Sequence, residues 1–123
     1  RDGPRRRIRV SEVAALEDAQ LIYGSRRENV RSGLMPGFDA LLDACWRDRG
    51  FGDFWGYALV AEGAAEAMLE TGMYRWDVAA PMVIIEEAGG RVTDVTGARD
   101  VSAASFVGSN GHLHEEILAR LRG

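Results

Sequence analysis

The 123-residue chain has no lysine at all; its fifteen basic residues are all arginine, which we read as a coding bias of the source genome and not as a functional signal. Cysteine occurs once, at Cys45, so no internal disulfide can form, and a reducing, cytoplasmic setting is the expectation. Proline occurs three times, and there is no proline-rich, low-complexity or repeated tract that would mark a linker or a second unit. No apolar run approaches the ~18–20 residues a membrane span needs. The basic opening, Arg1 to Val10, lacks the apolar stretch of a secretory signal. An excess of positive charge is missing too: the net charge is −4 and the isoelectric point about 5.2, which argues against nucleic acid as the main partner. What remains is ordinary globular composition, 46% hydrophobic and 28% charged, enough for one domain with a modest core.

Hydrophobic periodicity predicts the elements. Ile8 and Val10 alternate about Arg9 as a short strand, and Ser11 is placed to cap a helical turn through Ala14 and Leu16. Residues 19–23 read as a strand, and 24–36, rich in Ser, Gly, Asn and Pro, as an exposed connection. Phe38, Leu41, Leu42 and Cys45 fall at helical spacing; residues 47–52 carry two glycines; the apolar run 57–61 extends a helix to Gly63. Residues 65–69 read as a strand. A helix opens at Asp77, runs to Ala88 and is closed by Gly89-Gly90, because glycine accepts a left-handed cap without steric cost. Val92 and Val95, then residues 105–108, read as strands, and a last helix spans 111–122 with Leu113, Ile117, Leu118 and Leu121 on one face. Strands alternating with helices point to an α/β domain, a layered sheet flanked by helices.

The chemically informative stretch runs from Glu70 to Gly90. Asp77 at the start of an apolar helix has two readings. Its carboxylate can cap free N–H groups in a favourable dipole. It can also face a hard cation such as Mg²⁺, which prefers oxygen ligands and retains waters. Small Ala79 and Ala80 leave the helix mouth open, and acidic Glu70 is expected on the loop before it.

Trp76-Asp77-Val78-Ala79-Ala80 followed by Glu87-Ala88-Gly89-Gly90 resembles the C-terminal motif of the inositol monophosphatase family of Mg²⁺-dependent phosphatases. Upstream, Arg49-Gly50-Phe51-Gly52-Asp53-Phe54-Trp55 and Leu59-Val60-Ala61-Glu62-Gly63 are more similar to its histidinol-phosphatase branch. The resemblance covers nearly the whole chain. It implies that Asp77 ligates a catalytic metal close to the substrate and that Glu70 contacts the substrate's organic part. It also implies that Arg47, Gly52 and Asp53 line the organic end of the pocket. Asp53 and Glu70 suit an amino alcohol, whose cationic amine seeks carboxylates.

One departure is plain. The family's upstream Asp-Pro-x-Asp-Gly-Thr metal loop is absent, since none of Pro4, Pro36 and Pro81 follows an aspartate. The chain is therefore expected to be the C-terminal half of the family's αβαβα sandwich, inactive alone. Its partners would be the N-terminal half of the same enzyme, a small phosphorylated metabolite and, in a homodimer, a second copy. The expected reaction is hydrolysis of histidinol phosphate in histidine synthesis. An inositol-phosphate substrate and a non-catalytic association fragment are the alternatives.

Weaker patterns carry bland expectations. Residues 50–56 have the wrong glycine spacing for a dinucleotide loop. His112 and His114, two apart at a helix start, do not make a zinc pair and are expected to be solvated or capping. Cys45 is expected to be a buried small hydrophobe, Glu86 and Glu87 to face solvent, and the runs 5–7 and 26–27 to be solvated charges.

Overall fold

The computed structural model describes residues 7–50, 53–72, 75–100 and 104–123. A single 3-10 turn at Leu16–Asp18 leads into β1 (Gln20–Tyr23), then α1 (Arg26–Arg31), α2 (Phe38–Ala44) and β2 (Arg47–Gly50). The chain continues through α3 (Asp53–Glu62), β3 (Ala67–Thr71), α4 (Arg75–Glu87), β4 (Arg91–Thr93), β5 (Ser105–Ser109) and α5 (His114–Arg122).

The five strands form one sheet in the order β2-β1-β3-β5-β4. β1 runs parallel to both β2 and β3, while β5 is antiparallel to β3 and β4. Because successive strand residues point to opposite faces, Leu21, Leu69 and Val107 pack with α2 and α5, whereas Ile22, Met68 and Phe106 pack with α3 and α4. The result is the three-layer α/β arrangement expected from the pattern, with a core on each side of the sheet.

α5 buries the predicted Ile117, Leu118 and Leu121 against the first core, with Leu113 just before it. α4 ends as anticipated. Gly89 adopts φ +99°, its N–H donates to Glu86 C=O at 3.1 Å, and Gly90 N–H donates to Ile85 C=O at 2.9 Å. This pairing satisfies carbonyls the helix would otherwise leave open. Pro81 sits inside the same helix, where it cannot supply the N–H that would close on the Asp77 carbonyl four residues earlier.

Several expectations are corrected. Residues 8–10 form no strand; Val10 N–H instead donates to Ala88 C=O at 3.0 Å as the segment threads past the end of α4. Ser11 caps nothing: its hydroxyl accepts from Asn110 Nδ2, and the helical turn starts later, at Leu16. The 24–36 connection contains α1, capped by Ser25 Oγ, which accepts from Glu28 N–H at 3.1 Å. β2 lies in the glycine-bearing stretch because pairing with β1, not burial, makes it a strand; its side chains are exposed or half-buried. β3 is shifted two residues toward Thr71, carried there by its antiparallel ladder with β5. His114 is fully buried rather than solvated or capping.

Candidate active site

β1, β2 and β3 run in the same direction, and each is followed by a helix: α1 after Tyr23, α3 after Gly50, α4 after Thr71. Three helix N-termini therefore stand at the C-terminal edge of the parallel strands, where open α/β sheets place their ligands and where helix dipoles favour anions.

Glu70 lies in β3, opposite Phe106 of β5, and not on the loop where the sequence put it. Alternation along β3 turns its side chain to the α3/α4 face with Met68. There its carboxylate Oε1 accepts from the Tyr57 hydroxyl. Gly24, just beyond β1, leaves room for it: a Cβ at that position would lie 2.5 Å from Glu70 Oε2. Asp77 is not the cap residue; α4 begins at Arg75 and Asp77 occupies its first turn. Its side chain is exposed, as are Ala79 and Ala80, while Val78 between them is buried. Asp77 thus remains within the favourable N-terminal dipole.

The other predicted residues are less closely grouped. Asp53 opens α3 at the same edge, but its side chain and all of Gly52 lie outside the described residues. Arg47 starts β2 level with Gln20, at the opposite end of the strand. Its guanidinium donates to Gln20 Oε1 and lies over the Trp46 ring at 4.8 Å. Arg49, two residues on and level with Ile22, is roughly 7 Å nearer the edge at ~3.3 Å per strand residue. Two residues that sequence reasoning passed over also shape this edge. Tyr57 was hidden in an apolar run. Asn29 of α1, fully buried, donates to Leu69 C=O and accepts from the Thr71 hydroxyl at 2.9 Å, fixing the end of β3. The Ser25-x-x-Glu28 capping pattern is the signal that could have revealed α1.

Among the described residues, no three His, Cys, Asp or Glu side chains converge so as to hold a metal ion. Asp77 supplies a single oxygen-donor side chain where Mg²⁺ takes six oxygens, so the described residues do not fit a metal by themselves. A groove of about 410 Å³ between Arg7, Ile8, Ile84, Glu87 and Ala88 lies at the C-terminal turns of α4, away from Asp77. No described helix is long and apolar enough to cross a membrane.

The sequence profile of the inositol monophosphatase family matches residues 4–123. The chain belongs to that family. It is 44% identical over 121 residues to the histidinol-phosphatase of Mycobacterium tuberculosis, covering 98% of this chain and 46% of that protein. It is 39% identical over 115 residues to the histidinol-phosphatase of Streptomyces coelicolor, covering 94% and 43% respectively. Its fold superposes on the Thermotoga maritima IMPase with a TM-score of 0.82 at 30% identity, over 94% of this chain and 45% of that one. The chain thus spans about half the length of the curated relatives it matches. As a member of that family it is related to phosphatases.

Proposed function

We propose that this chain is the C-terminal half of a Mg²⁺-dependent phosphomonoesterase that hydrolyses histidinol phosphate to histidinol and inorganic phosphate in histidine synthesis. The observation that carries the reading is an exposed Asp77 carboxylate in the first turn of α4, at the same sheet edge as Glu70, in a chain similar over nearly its full length to histidinol-phosphatases. In this reading Asp77 contributes one ligand to the Mg²⁺ site, and the remaining ligands come from the preceding half. The bound metal would supply an activated water and charge neutralisation.

This chain's own contribution is positioning. The N-termini of α3 and α4 favour the dianionic phosphate, while Glu70 and Asp53 receive the cationic amino end of the alcohol. In hydrolysis the water oxygen bonds to phosphorus, the ester O–P bond breaks, and the leaving alkoxide gains a proton. Apolar surface on α3 and α4 supports a covering half: Trp55 is 66% and Val83 49% exposed, beside exposed Ala79 and Ala80.

The scarcity of metal donors among the described residues favours inactivity of the chain alone. Purified chain, with and without the preceding half, is assayed on histidinol phosphate and on inositol 1-phosphate across a Mg²⁺ titration. Turnover of histidinol phosphate only in the assembled pair is expected. Turnover by the chain alone, or exclusive turnover of inositol 1-phosphate, would overturn the reading.

A further inference from the structure

Tyr57 lies in the middle of an apolar helical run, yet it ends in a hydroxyl that the core does not require. The residue is 3% exposed. Its ring meets Phe106 edge-on, with centroids 4.8 Å apart and planes at 75°. Phe106 is in turn the cross-strand partner of Glu70. Ring and carboxylate are thus fixed to the same pair of strands, and the hydroxyl closes the triangle by donating to Glu70 Oε1. On the other side Gly24 abuts the Glu70 side chain, so closely that a Cβ there would lie 2.9 Å from Glu70 Cγ. A half-buried carboxylate, clamped between a phenol and a glycine backbone, stands at the edge where the parallel strands end and α4 begins. A long flexible acid on a solvated edge would lose rotamer freedom each time it met a ligand. Here α3 has already restricted it.

We infer that Tyr57 is a positioning residue that holds the Glu70 carboxylate in the orientation in which it receives the cationic amine of an amino-alcohol phosphate. The inference rests on the phosphatase reading above and adds the means of discrimination: the clamp favours a substrate carrying a positive charge over a neutral polyol. A carboxylate prearranged by a hydroxyl donor offers its charge at fixed geometry, and a charge-assisted contact is about twice as strong as a neutral one.

Tyr57→Phe keeps the ring against Phe106 and removes only the hydroxyl. In the assembled enzyme this variant is expected to raise KM for histidinol phosphate about tenfold, with kcat and the KM for inositol 1-phosphate held within about twofold. In a Glu70→Gln background the same change is expected to add nothing. A KM for histidinol phosphate that does not move in an active variant overturns the inference, as does an equal rise for both esters. A wild-type enzyme that hydrolyses neither ester instead sinks the phosphatase reading. The clamp is then judged by carboxyl ¹³C NMR of Glu70. Loss of a donor to the ionised form must move that titration to higher pH in Tyr57→Phe, and an unmoved titration overturns the inference.

Discussion

Lowering the pH should weaken this fold, and one histidine carries a separable share of the loss. His114, the first residue of α5, has no solvent access. Its Nε2 is 2.8 Å from Thr93 Oγ1 and its Nδ1 is 2.7 Å from Ser109 Oγ. The neighbours assign the tautomer. Thr93 already donates its hydroxyl proton to the Asp94 carbonyl, so it accepts from Nε2–H; Ser109 then donates to Nδ1 while its oxygen accepts from Gly111 N–H. A second ring proton would turn the Ser109 hydroxyl away from its acceptor. Burial first, and the nearby Arg91 guanidinium second, pull the imidazole down to about 4, with Glu115 opposing. The folded pKa lies below the unfolded value of about 6.5, so the unfolded chain binds more protons between the two. The stabilisation is complete above about pH 6.5 and is lost as pH falls toward about 4, a total of about 3 kcal/mol at 1.36 kcal/mol per unit. Urea unfolding of wild type and His114→Gln from pH 7 to pH 4.5 measures it, because the shared carboxylates cancel in the difference. The two stability curves should converge on the acid side, with a difference slope of about 1.2 kcal/mol per pH unit around pH 5. Parallel curves, or a His114 Cε1 resonance titrating near pH 6.5 by NMR, would refute the reasoning.

Gly37 meets α5 so closely that an added Cβ would lie 1.7 Å from the Arg120 carbonyl oxygen. Gly37→Ala should therefore destabilise by at least about 2 kcal/mol, read as a lowered urea midpoint; an unchanged midpoint would contradict the packing. On β2, the arginine nearer the strand ends should matter more to catalysis. Arg49→Ala is expected to raise KM of the assembled enzyme about tenfold, while Arg47→Ala, whose guanidinium serves Gln20 and Trp46, changes it less than about threefold. The reverse order would mean that the pocket extends toward the start of β2.

The helices that bury one clean face could be read from the sequence. α5 shows its stripe of Leu113, Ile117, Leu118 and Leu121, and α4 shows its double-glycine stop. Elements made by pairing or capping were harder to see. β2 is charged along its length and exists because β1 offers it a parallel edge. α1 hides among turn-forming residues and is held by a serine cap and by Asn29, whose partners are 40 and 42 residues away. The site divides in the same way. Asp77 and Glu70 stand out by residue type and spacing. The partnership of Glu70 with Tyr57 depends on β3 meeting β5 in one register and on α3 crossing above it, neither of which local pattern encodes.

Pro81 has a mechanical consequence for the residue four places before it. An uninterrupted helix behaves as a rod, and re-aiming a side chain on its first turn means tilting the whole. Here one strut between that opening turn and the body of α4 is missing by covalent necessity. Asp77 accordingly stands on a turn whose carbonyl at position 77 receives no N–H from residue 81, while Val78, Met82 and Ile85 are buried beneath it against the sheet.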